Sequence, residues 1–143
     1  LCATKNKYYV MATETFTLTL DSIGTNISVT INDTSQTPGY NIAVGHSYSS
    51  AYTLSGVDRN GTVSGNNQPV NLNTFDTVNF IVNASGHPFY IKTAQQIGIG
   101  NLASGVTNNG ATNGTVSWTP VAAGTYYYIC RYHGGMTGVI TVS

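Results

Sequence analysis

An all-β, Greek-key β-sandwich of seven to eight short strands, preceded by an extra N-terminal β-hairpin, is the fold this sequence predicts. Three observations point there. Apolar and polar residues alternate in short runs, such as Phe16, Leu18 and Leu20 against Thr15, Thr17 and Thr19, and period two is the signature of a strand with one buried face. The runs are cut by turn formers, among them 16 Gly and 4 Pro. The remainder is rich in Thr, Asn, Ser and ten Tyr, a composition that suits pleated sheets better than helices.

The 143 residues suffice for one core that needs no disulfide staples. Only 7% are charged and the formal net charge is zero, which excludes the basic footprint of nucleic-acid or anionic-membrane binding. No run reaches the roughly 18 apolar residues of a helical membrane span. The opening at Leu1, without a basic-then-apolar leader, is consistent with a removed signal peptide or a fragment. The composition suits an extracytoplasmic setting: periplasmic, secreted or on a particle surface.

In chain order, residues 1–12 have no period and are expected to form a tail or edge strand. Thr13 to Leu20 and Ile27 to Ile31, separated by DSIGT, predict a hairpin. A hairpin is marginal alone, so it should pack on the main domain, on a neighbour or on a second copy of itself, which leaves homo-oligomerisation open. NDTSQTPG follows as a loop, with a short strand over Asn41 to Val44. The division is therefore 1–45 for tail and hairpin and 46–143 for the main domain. Within the latter, Tyr52 to Val57 is its first expected strand, DRNGTVSGNNQP a turn-rich connection, and Val70 and Leu72 mark the second strand. Val78, Phe80 and Val82 alternate against Asn79 and Asn83; after the NASG turn, His87, Phe89 and Ile91 share one face, which directs the imidazole coreward. Thr93 to Gly114 is Gly- and Asn-rich and reads as a long loop with one short strand. Val116 and Trp118 resume the alternation, Pro120 ends it, and the last run places Tyr126, Tyr128 and Cys130 on one face.

That last run carries the chemistry. In YYYICRYHGGMTGVITV, Cys130, His133 and Met136 follow a C-x2-H-x2-M spacing. A thiolate, an imidazole and a thioether together suit copper better than other common metals, whereas zinc favours further Cys or His. The second imidazole such a site needs is available at His87, in SGHPFYI. His46, in VGHSYSS, has no ligand-type residue near it in sequence and reads as surface. If Cys130 binds metal, Cys2 has no intrachain partner, and a free thiol, an intermolecular disulfide and lipidation remain in that order.

GTYYYICRYHGGMTGVITV resembles the last strand, ligand loop and closing strand of the cupredoxins, the type 1 blue copper proteins, and SGHPFYI resembles their first ligand strand. The resemblance spans roughly the last hundred residues, and the two-residue spacings match the short loop of the amicyanins more than that of the plastocyanins. It implies one copper ion held by His87, Cys130, His133 and Met136, and single-electron transfer between redox partners. It also implies weaker roles for three neighbours. The Gly86 carbonyl could approach the metal opposite Met136, although a turn glycine is the simpler reading. Pro88 stands where many members have Asn and lacks the N–H that would reach the sulfur. Tyr132 keeps its N–H and could supply the other donor. The resemblance further implies a redox partner docking at the His133 edge, left open by Gly134 and Gly135, through a mostly apolar contact near Lys92 and Arg131.

Enzymatic readings fare poorly. Three His are too few for a trinuclear copper cluster, and no acidic residue pairs locally with a His in the manner of a hydrolase. The rival reading is a cupredoxin-fold structural or adhesive domain of a surface or virion assembly that binds copper without an electron-transfer role. Asn26, Asn32, Asn60, Asn83 and Asn113 fit the glycosylation sequon, which matters only in a eukaryotic secretory host.

Overall fold

The computed structural model describes residues 39–143, in the second of the chain's two units, Thr37–Ser143. The expected hairpin, Cys2 and two of the sequons lie outside the described residues. Nine strands are described: β1 (Gly39–Ser47), β2 (Ala51–Asp58), β3 (Gly61–Asn66), β4 (Val70–Leu72), β5 (Thr77–Asn83), β6 (Phe89–Lys92), β7 (Asn113–Trp118), β8 (Gly124–Cys130) and β9 (Thr137–Val142). They form two sheets, ordered β3-β2-β1-β5-β7 and β4-β9-β8-β6. β1 pairs parallel to β5 and β4 parallel to β9; the other pairs are antiparallel. From β3 to β8 every connection changes sheet, which is Greek-key wiring.

Alternation decides which side chains fill the space between the layers. Ile42 and Val44 of β1, Tyr52 and Leu54 of β2, and Val78, Phe80 and Val82 of β5 face inward from the larger sheet. Phe89 and Ile91, Tyr128 and Cys130, and Ile140 and Val142 meet them from the smaller one. An aromatic group holds the centre. Phe89 lies 5.0 Å from Phe80 and 5.1 Å from Tyr52, and stacks on Tyr128 at 5.4 Å.

Two expectations of element placement change. β1, expected as a short strand over Asn41 to Val44, runs from Gly39 to Ser47, and residues 39–44 pair with residues 77–82 of β5; the polar Gly, Asn and His of GYNIAVGHS blur its alternation in sequence. The connection after β2 contains a strand, β3. Arg59 and Asn60 make a two-residue hairpin turn there, with Asp58 Oδ1 accepting the Asn60 N–H at 2.8 Å and Gly61, the first residue of β3, at a positive φ that glycine tolerates. Buried Asp58 also accepts the Asn71 N–H at 2.7 Å. Next to it, Arg59 grips buried Asp76 through both guanidinium and carboxylate forks. The stretch 93–112 is a loop stitched to the sheets by single bridges, Lys92 with Leu102 and Phe89 with Ala111 among them. No helix of the described residues is long and apolar enough to cross a membrane.

Candidate metal centre

Register brings two remote segments together. Phe89 of β6 pairs with Cys130 of β8, and the Arg131 N–H donates to the Pro88 carbonyl at 3.1 Å. His87, two residues ahead of Phe89 in a chain whose sides alternate, is thereby carried over the end of β8. The turn before it closes with the His87 N–H donating to the Ala84 carbonyl at 2.9 Å, and Gly86 occupies it at φ 78°. A side chain there would be strained. On the other segment, the Cys130 N–H donates to the Met136 carbonyl at 2.9 Å, and the Met136 N–H donates to the His133 carbonyl at 3.1 Å. These two bonds fold the β8–β9 connection into a compact loop that turns at Gly134 and Gly135, with His133 just ahead of the turn.

The result is a three-donor cluster. His87 Nδ1 lies 3.2 Å from His133 Nδ1, Cys130 Sγ lies 3.5 Å from His133 Nδ1, and Cys130 Sγ lies 3.9 Å from His87 Nδ1. His87, Cys130 and His133 are the one such group among the described residues. Cys130 is a free thiol and fully buried, Met136 is fully buried beneath the loop, and His133 is half-buried. Burial, followed by the neighbouring His46 and His133 imidazoles, holds His87 below the ordinary imidazole range, so its neutral, lone-pair-bearing form prevails at neutral pH. A trigonal ion with metal–nitrogen bonds of about 2.0 Å and a metal–sulfur bond of about 2.3 Å sets nitrogens about 3.5 Å apart and nitrogen about 3.7 Å from sulfur. The observed triangle fits that requirement to within a few tenths of an ångström.

Tyr132 is exposed at the rim, 6.4 Å from the His133 ring, with the Arg131 guanidinium 5.2 Å from its own ring. Pro88 contributes its carbonyl to Arg131, as above. His46 is exposed, as expected of a surface histidine, but it lies in a strand rather than a loop. It sits in β1 with its ring 4.6 Å from that of His87, and Tyr48's carbonyl lies 3.1 Å from its Nδ1. The β1–β2 register turns it toward the site end of the sandwich, a long-range consequence that local sequence does not contain. Lys92 is not a surface charge. It is fully buried, its ammonium donating to the Gln96 and Gly98 carbonyls at 2.8 Å each, and burial pushes its pKa down. The carbonyls of a closely wrapped loop take the place of solvent around it.

Sequence reasoning missed Tyr52 and Asn67. The fully buried Tyr52 hydroxyl donates to the His87 carbonyl at 2.9 Å. Burial, with the adjoining Cys130 second, pushes that hydroxyl far above the ordinary tyrosine range. Asn67 Nδ2 donates to the Gly135 carbonyl at 2.8 Å. The period-two pattern does place Tyr52 inward beside Leu54, whereas nothing local marks Asn67.

A two-layer β-sandwich with a buried thiol and two imidazoles converging at one end is the class this architecture defines. Among solved structures, the chain is similar to the copper protein rusticyanin, at 19% identity and a TM-score of 0.49, covering 73% of this chain and 78% of that one. It is similar to rusticyanin from Thiobacillus ferrooxidans at 18% identity, with a TM-score of 0.47 and coverage of 73% and 77%. A purple cupredoxin from Nitrosopumilus maritimus is similar at 17% identity, with a TM-score of 0.45 and coverage of 72% and 98%. No protein-family model matches the chain, and no curated protein matches it.

Proposed function

We propose that the chain is a cupredoxin-type electron carrier, with one copper ion held by His87, Cys130 and His133 and, more weakly, by Met136. The observation that carries this reading is the donor triangle of 3.2, 3.5 and 3.9 Å drawn from two segments 43 residues apart. One cysteine sulfur and two imidazoles are a donor set that suits copper, and a buried thioether beside them fits a weak axial position. When bound there, copper supplies a one-electron Cu(I)/Cu(II) couple.

The chain's own residues supply the rest. The ladder between β6 and β8 fixes Cys130 against Phe89, and the two hydrogen bonds of the β8–β9 loop fix His133 and Met136. Such bracing resists rearrangement between oxidation states, which is what a fast carrier requires. The aromatic packing around Cys130 excludes water and lowers the local dielectric, which sets the potential together with the sulfur's hydrogen bonds. His133 reaches the surface beside exposed Tyr132, with exposed Ile97 next to Gly134. A redox partner therefore docks at this edge through apolar contact, and an extracytoplasmic setting goes with the reading.

The test is titration of the purified protein with Cu(II), followed by repeated ascorbate reduction and ferricyanide oxidation. Expected is an intense visible thiolate-to-copper charge-transfer band with narrow copper hyperfine splitting, lost and regained over many cycles. Copper that binds without cycling overturns the carrier reading in favour of a structural or adhesive domain.

A further inference from the structure

Both ligand-bearing segments are tied to one point on the opposite sheet. Tyr52, in β2, and Asn67, just past the end of β3, continue the β2–β3 ladder as a reciprocal pair: the Asn67 N–H donates to the Tyr52 carbonyl at 2.8 Å, and the Tyr52 N–H donates to Asn67 Oδ1 at 3.0 Å. Each then reaches outward. The Tyr52 hydroxyl donates to the carbonyl of His87 at 2.9 Å, and Asn67 Nδ2 donates to the carbonyl of Gly135 at 2.8 Å. Gly135 lies between His133 and Met136. Asn67 holds a left-handed backbone, φ 49°, a conformation that asparagine adopts more readily than most residues. That conformation lets one side chain serve both the strand and the loop.

We propose that Tyr52 and Asn67 form a two-armed clamp that holds the His87 and His133 segments at ligating separation before the metal arrives. The proposal rests on the copper reading above. Neither residue touches the metal; both are positioning residues. Their effect comes through geometry because each arm ends on the main chain of a ligand segment, and the two arms share a single mutually bonded root. Pro88 makes the clamp needed. Without an N–H at 88, the first segment has one fewer bond with which to fix itself across the site, and the bond from Tyr52 to the His87 carbonyl supplies a tie from the other layer. The ring of Tyr52, edge-on to Phe89 at 5.1 Å and to Tyr128 at 6.2 Å, cannot swing away without breaking the aromatic group.

The experiment compares wild type with Tyr52→Phe, which keeps the ring and removes the donor, and Asn67→Asp, which keeps Oδ1 and removes the Nδ2 arm. In the metal-free proteins, amide exchange is expected to rise about tenfold for His87 in the first variant and for Cys130 and Met136 in the second, the equivalent of one lost hydrogen bond. The Phe80 and Val116 amides, in the ladder between β5 and β7, should keep wild-type rates. In the loaded proteins, the charge-transfer band should shift and Cu(I) should pass to a chelator about tenfold faster. Unchanged exchange at the site amides, or an equal rise at Phe80 and Val116, overturns the clamp even if the wild type is a competent blue copper protein. A wild type that takes up no copper overturns the carrier reading itself, and the clamp's purpose with it.

Discussion

At the scale of single residues, the sulfur of Cys130 and the proline beside His87 make the sharpest claims. Cys130→Ser changes one atom in a fully buried position. It should leave the fold intact by circular dichroism while abolishing the charge-transfer band, because a serine hydroxyl is neither a soft donor nor ionised at neutral pH. Pro88→Asn restores a backbone N–H at the edge of the site. A donor to the thiolate draws electron density from sulfur and favours Cu(I), so cyclic voltammetry should show a higher potential than wild type; an equal or lower one contradicts the idea. Much of this chemistry was legible in the sequence because Cys130, His133 and Met136 are close neighbours in the chain and His87 lies at a strand start whose parity could be counted. His46, Lys92, Tyr52 and Asn67 were misplaced or missed for the opposite reason. Their surroundings come from segments 35 to 68 residues away, or from a loop that closes over them.

At the scale of elements, close approaches and buried charges decide which strands can tolerate change. Gly138 of β9 pairs with Tyr128, and the tyrosine hydroxyl occupies the space a side chain would need while donating to the Gln68 carbonyl at 2.7 Å. Gly138→Ala should therefore cost about 1–3 kcal/mol by overpacking, measured by urea unfolding; a neutral substitution would mean the ring shifts freely. The corner joining β2, β4 and β5 depends on Asp76. Burial raises the cost of its charge, but the Arg59 guanidinium and the Asn73 N–H outweigh that and hold its carboxyl below the ordinary range. With the folded-state value depressed, its contribution is complete above the ordinary carboxylate range near about 4 and is lost as pH falls through the folded value. The gap in unfolding free energy between wild type and Asp76→Asn should be widest at neutral pH and shrink under acid. β3 and the early start of β1 escaped sequence reading because Gly, Asn and Ser interrupt their alternation. Their pairing is set by partner strands rather than by their own pattern.

At the scale of the whole molecule, a chain with 7% charged residues and no net charge has little field with which to steer a partner. With Lys92 buried, Arg131 is the remaining sequence-marked cation near the ligands. Association with a redox partner should therefore change much less than tenfold across modest salt, read by stopped-flow; a steep salt dependence would contradict an apolar docking edge. The sandwich itself was legible from alternation and turn chemistry, while its register and sheet order were not, since a parallel pairing such as β1 with β5 leaves no local mark. The measurement closest to the centre of the account is X-ray absorption at the copper edge of the loaded protein. One sulfur at about 2.2–2.3 Å and two nitrogens at about 2.0 Å are expected. A first shell of nitrogen and oxygen without sulfur would contradict it.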